Sequence, residues 1–187
     1  MLRNMIAYFL LLLALFPVSA VCGDSGNETW QERGNKLASK LQLTIKAEKN
    51  EVMAGQPIML SVSLKNISND ELIIECSRNM YSEYTFKVVD AQNKEVKLTS
   101  YLLQFKKDQL TSSDNLIGYH LKAGQSADCS LNACALYDMT LPGKYFITLR
   151  RGFPLPSCIE DQMSAISNTV EVNVVYPAAS YIIKEAE

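Results

Sequence analysis

Residues 141–151 read LPGKYFITLRR, a Pro-Gly pair running straight into a stretch that alternates apolar and polar side chains. Pro142 presets φ and Gly143 accepts positive φ, so the pair reads as a turn. Beyond it, Tyr145, Ile147 and Leu149 fall on one face of an extended chain. Tyr145 is expected to bury its ring while its hydroxyl finds a backbone carbonyl and ties the corner down. Pro142, Gly143 and Tyr145 therefore read as structure, not chemistry.

The same two-residue period recurs on both sides of this stretch. In LQLTIKA, Leu41, Leu43, Ile45 and Ala47 face one way, and Gln42, Thr44 and Lys46 the other. PIMLSVSLKN turns Ile58, Leu60, Val62 and Leu64 inward. ELIIEC follows the turn NISND; YTFKVVD buries Tyr84, Phe86 and Val88, and AQNK returns the chain into EVKLT as a hairpin. LIGYHLKAGQS is a further strand closed by a glycine turn, and TVEVNVV, with Val170, Val172 and Val174, ends the series. Helical period is weak everywhere after residue 40. Seven to nine short antiparallel strands with turns at intervals predict an all-β sandwich and not a helix-covered parallel sheet.

Leu-x-Pro-Gly followed by a strand-borne tyrosine resembles the corner of immunoglobulin-like and fibronectin-like sandwiches, where the tyrosine hydroxyl bonds back to the chain. The order AGQPIMLSVSLKN, YTFKVVDAQNKEV, LKAGQS, YDMTLPGKY resembles bacterial immunoglobulin-like domains of the intracellular proteinase inhibitor type, over roughly residues 41–175. The resemblance implies an immunoglobulin-like fold and carries over no inhibitory residue. The chain departs from that pattern in its leader, its cysteines and a long loop at Gly152–Asn168.

Residues 1–20 read as a secretory signal: Arg3, an apolar run from Met5 to Phe16, then Pro17-Val18-Ser19-Ala20 as a cleavage site. The alternative is a retained N-terminal anchor, although the run is shorter than the roughly 20 residues a spanning helix needs. Cleavage after Ala20 leaves 167 of the 187 residues, enough for one domain with its own core. The expected organisation is signal peptide 1–20, polar linker 21–40 with a short helix at Gln31–Lys40, sandwich 41–175 and tail 176–187. The chain is thus expected to be exported, periplasmic or secreted, with no transmembrane span after cleavage. Its formal charge is −2, 18 basic against 20 acidic residues, interspersed without a basic stripe. That composition excludes nucleic acid as a partner.

All five cysteines lie beyond residue 20. The four inside the domain, Cys76, Cys129, Cys134 and Cys158, allow three pairings, and export favours some pairing. Cys129 and Cys134, close together in CSLNAC, suggest a local disulfide; the alternative is small buried hydrophobes that never pair. Cys22 sits where a lipoprotein carries its lipidated cysteine, ahead of a polar tether, but Val21 precedes it where a small residue is usual. A lipid anchor at Cys22 is the membrane-tethered alternative.

The chain offers little for catalysis. GDSG at Gly23–Gly26 matches the serine-nucleophile tetrapeptide of trypsin-like proteases but lies in the tether, with no oriented base. His120 is the one histidine, too few for a copper or zinc site, and no nucleophile motif points at it. Glu160-Asp161 and Asn69-Asp70 lack acid–base or calcium-loop spacing. No cofactor and no metal are expected, and the chain reads as a non-enzyme that binds a protein or cell-envelope partner. The loop Gly152–Ser167 displays Phe153, Leu155, Ile159 and Met163 as a candidate partner-binding surface, or as an inhibitor loop entering a protease cleft. The alternative is a lid folded over the sandwich end. The tail offers Tyr176, Tyr181, Ile182 and Ile183 to a sheet edge or a partner. Asn27-Glu28-Thr29 and Asn66-Ile67-Ser68 fit the glycosylation acceptor.

Overall fold

The computed structural model describes residues 29–77, 80–109, 117–153 and 163–177. The leader, Cys22, the GDSG tetrapeptide, Leu155, Cys158, Ile159, Glu160-Asp161 and the tail from residue 178 lie outside the described residues. The described chain runs α1 (Trp30–Ser39), β1 (Leu41–Ala47), β2 (Glu51–Met53), β3 (Met59–Asn66), β4 (Leu72–Cys76), α2 (Met80–Glu83), β5 (Thr85–Asp90), α3 (Ser100–Gln109), β6 (Ile117–Leu121), β7 (Ser126–Asn132), β8 (Gly143–Gly152) and β9 (Ser164–Val175).

The strands form an immunoglobulin-like sandwich. One sheet has the order β1-β3-β7, the facing one β2-β9-β8-β5, and β4 with β6 makes a two-stranded flank. All of these pairings are antiparallel except β2 with β9, which is parallel over Glu51–Met53 and Asn173–Val175. The alternation read from the sequence is the burial pattern of the core strands. Leu41, Leu43, Ile45, Ala47, Ile58, Leu60, Val62 and Leu64 from one sheet meet Phe86, Val88, Tyr145, Ile147, Leu149, Val172 and Val174 from the other in one dry cluster. Each Val, Leu, Ile or Phe among them contributes about 1.5–3 kcal/mol on leaving water, so this shared interior dominates stability.

Local chemistry sets the joints. The Tyr145 hydroxyl donates to the Leu141 carbonyl at 2.7 Å, and Gly143, at φ +147°, makes the turn that brings them together. After β3, the Asn66 side chain donates to the carbonyls of Asp70 (2.7 Å) and Leu121 (2.9 Å) and accepts from the Ser68 N–H (2.9 Å). Asn66 is fully buried with its amide nitrogen committed, so Asn66-Ile67-Ser68 is a folded-in turn and not a glycan acceptor. α1 opens on a capping box: the Glu32 N–H donates to Thr29 Oγ1 while the Thr29 N–H donates to Glu32 Oε2.

The hairpin expected at AQNK forms but is short: the Asp90 N–H donates to the Lys94 carbonyl and the Val96 N–H to the Val88 carbonyl around the antiparallel Val89–Glu95 bridge, with the Asp90 carboxylate accepting from the Gln92 and Lys94 N–H groups. Leu98 then bridges Tyr137 and the chain leaves the sheet. It leaves into α3, a ten-residue helix where no helical period was expected. Its inward residues are Leu102 and, partly, Phe105, while Tyr101 and Leu103 stay exposed. Apolar residues on both faces hide the period.

Candidate functional site

Cys129 and Cys134 are free thiols, as is Cys76, and the expected local disulfide is not formed. Cys129 lies within β7 opposite Val62, so the three residues of strand that follow it already span ~10 Å, beyond the ~7 Å reach of a cystine. Burial raises both thiols above their ordinary pKa, the neighbouring Tyr84 hydroxyl drawing that of Cys129 partly back, and Cys134 Sγ faces the Gln56 carbonyl at 3.6 Å.

Phe153 and Met163 are not displayed. They are 3% and 6% exposed and form the stem of the loop they were expected to decorate. The Phe153 N–H donates to the Met163 carbonyl at 2.8 Å, and the Met163 N–H to Asn35 Oδ1 at 3.1 Å. α1 lies directly over this stem: a Cβ added to Gly34 would stand 2.5 Å from both the Phe153 carbonyl oxygen and Met163 Sδ. The missing side chain at Gly34 is what lets the helix press the two apolar residues inward.

His120 stands on the exposed flank, its Nδ1 3.5 Å from Glu71 Oε1 with both side chains more than half exposed, an arrangement without a cleft. Asp70 is bound by Lys40 at 2.9 Å, which lowers its carboxyl below the ordinary value. Among the described residues no group of three His, Cys, Asp or Glu side chains could hold a metal ion, and no helix is long and apolar enough to cross a membrane.

Two features escaped the sequence reading. The first is a buried charge cluster. Arg151, at the inward end of β8, is 1% exposed and pairs with Glu83 of α2 at 3.0 Å. Its Nη2 donates to the Glu75 carbonyl at 2.6 Å and lies 3.9 Å from Cys76 Sγ. The guanidinium also lies over the rings of Tyr84 (5.7 Å) and Phe153 (5.4 Å). Glu83 Oε1 accepts from the Ser77 N–H at 2.8 Å. Desolvation raises the Glu83 carboxyl above its ordinary pKa, against the pull of the Arg151 charge and the Ser77 amide.

The second is an open strand edge. The Glu48 N–H donates to Met59 and the Ile67 N–H to Lys40, so even-numbered β1 residues pair with β3. The odd-numbered ones, Leu41, Leu43, Ile45 and Ala47, turn their backbone groups to the outer edge. At Ile45 that edge is filled by a side chain: the Ile45 N–H donates to Asn168 Oδ1 and Asn168 Nδ2 to the Ile45 carbonyl, both at 2.9 Å. Asn168 reaches it from a bulge in β9, where Thr148 opposes Thr169 but Arg150 opposes Ile166. Next to Ile45 on the same edge, Leu41 and Leu43 border a groove of about 630 Å³ lined by Gln42, Thr44, Ile67 and Ile166. Ile67 and Ile166 are 55% and 58% exposed. A strand edge, two exposed isoleucines and a side-chain amide imitating a neighbouring strand are the parts of a peptide-pairing groove.

No family model matches this sequence, and no curated protein does. Among solved structures it is similar to the CARDB domain of PF1109 from Pyrococcus furiosus, determined in solution, at 13% identity over 74% of this chain and 96% of that one, with a TM-score of 0.39. The crystal structure of the same domain with di-metal ions matches at 14% identity, over 72% and 87% of the two chains, TM-score 0.37. A beta-glucosidase from Listeria innocua matches at 16% identity and TM-score 0.39, over 74% of this chain but only 16% of the enzyme.

Proposed function

We propose that this chain is an exported immunoglobulin-like interaction module, without catalysis, that takes an extended segment of a partner protein along the open edge of β1. The observation that carries this is the Asn168 clamp. Its amide makes the two hydrogen bonds a neighbouring strand would make to Ile45, and the edge continues past it to Leu43 and Leu41. A partner backbone can extend that pairing, with its alternate side chains resting on Ile67 and Ile166. The groove lining carries no ionisable group, so an apolar, alternating peptide fits it better than a charged one.

Panning a peptide display library against the folded protein tests the reading. Selected peptides should alternate apolar and polar, and Ile67→Lys with Ile166→Lys should weaken them at least about ten-fold, or ~1.4 kcal/mol. Recovery of no peptide, or equal binding by the double variant, removes the groove. Export is tested separately by the intact mass of extracytoplasmic protein from cells expressing the full chain. Cleavage after Ala20 supports it, an added acyl mass places a lipid on Cys22, and uncut chain confined to the cytoplasm removes it.

The inhibitor reading for residues 152–167, like the resemblance to the intracellular proteinase inhibitor type, has no inhibitory residue behind it. Phe153 and Met163 are spent on the loop's stem, leaving Leu155 and Ile159 to carry it.

A further inference from the structure

The Arg151 guanidinium sits at the end of β4 beneath Cys76, almost sealed from solvent. Its donors are a fixed planar fork. Nη2 is used twice, by Glu83 Oε2 at 3.0 Å and the Glu75 carbonyl at 2.6 Å. Nε, whose N–H lies on the same edge of the guanidinium as Nη2, is buried and has no hydrogen-bond partner among the described residues. An unpaired buried donor of this kind is uncommon and costly. Cys76 Sγ is 3.9 Å from Nη2, and sulfur is a weak acceptor.

We infer that Cys76 is an oxidation site, at which a peroxide converts the thiol to a sulfenic acid whose oxygen accepts from the Arg151 fork. The thiol sulfur gives up two electrons and forms the S–O bond. The peroxide O–O bond breaks, and its second oxygen leaves as water with the thiol proton. Glu83 already balances the guanidinium charge, so the unpartnered N–H calls for a neutral acceptor, which a sulfenic acid supplies and a bound anion does not. Cys129 has the Tyr84 hydroxyl beside it and Cys134 the Gln56 carbonyl, but among the described residues the buried side-chain donor left without a partner is Arg151 Nε, in the guanidinium that reaches Cys76. Cys76, like Cys129 and Cys134, is only partly buried, so burial does not set the three apart and the guanidinium does. The inference does not depend on the peptide groove, whose residues lie on β1 and β9.

The test uses the full chain, reduced and desalted, exposed to hydrogen peroxide with dimedone present, then digested and read peptide by peptide. The Cys76 adduct should exceed those of Cys129 and Cys134 by about ten-fold or more. Arg151→Lys keeps the charge but removes the fork, and in the folded variant that excess should disappear. Because Arg151→Lys can fail to fold, a second measurement stands alone: peroxide should raise the melting temperature of the native chain and leave that of Cys76→Ser unmoved. Equal adducts on all three thiols, recovery of Cys76 in a disulfide, or the same peroxide-induced shift in Cys76→Ser overturns the inference.

Discussion

Arg151 Nη2 lies 3.0 Å from Glu83 Oε2 with both residues inside the sandwich, 1% and 6% exposed. Such a pair is costly to break and of small net benefit to keep, because removing one partner strands the other charge in a dry interior. Arg151→Met should therefore cost about 3–5 kcal/mol in urea unfolding. Adding Glu83→Gln, which keeps an acceptor for the Ser77 N–H, should recover part of that loss. A double variant no more stable than Arg151→Met would mean the charge of Glu83 is not held there.

Gly34→Ala sets two effects of opposite sign against each other. In a helix the change normally gains up to ~1 kcal/mol. Here the new methyl would lie 2.5 Å from the Phe153 carbonyl oxygen, a backbone atom of the residue whose N–H is tied to Met163, and 2.5 Å from Met163 Sδ. The clash should win, for a net loss of about 1–3 kcal/mol by denaturant melts. A stabilised Gly34→Ala would show that α1 does not press on the loop stem.

The sandwich was legible because its strands are buried on one face, so a period of two survives in the sequence from Leu41 to Val174. The same parity places Arg151 inward after Tyr145, Ile147 and Leu149, but a charged residue at an inward position is ordinarily taken as the strand's end. Only the three-dimensional arrangement brings Glu83 and Glu75 to it. The groove was hidden for a different reason. The bulge near Ser167 and Asn168 changes the inward parity of β9, from Ala165 before it to Val172 and Val174 after it. No short-range pattern announces an inserted residue, nor that Asn168 crosses to Ile45. Phe153 and Met163 were misplaced because a loop's apolar residues look alike whether they face a partner or a helix lying over them.

Alkaline pH should weaken the fold steeply. Burial raises the hydroxyls of Tyr84, Tyr137 and Tyr145 and the thiols of Cys129 and Cys134 above their ordinary values. A group whose folded pKa lies above its unfolded one gives full stability below the unfolded value and loses it as pH rises further. The loss thus begins near pH 9, where free thiols ionise, and deepens past pH 10, where free phenols do. The melting temperature should fall across that window, and the unfolding transition should release protons. A melting temperature level to pH 11 would contradict the burial of these five groups.

Asn168→Ala removes two 2.9 Å hydrogen bonds by which β9 closes the edge of β1. Each is worth about 0.5–1.5 kcal/mol, and the freed Ile45 groups are only part-buried, so water recovers some of the loss and the net cost should be about 1 kcal/mol. The larger effect is local. With the clamp gone, the edge runs open from Leu41 to Ala47, and amide exchange at Ile45 should accelerate far more than at Val62, whose N–H belongs to the β3–β7 ladder. An unprotected edge also invites pairing with a second chain, so Asn168→Ala should self-associate in sedimentation where the native chain does not. Adding Ile166→Lys beside the opened edge should suppress that association by charge. Unchanged exchange at Ile45 in the alanine variant would show that Asn168 does not guard β1.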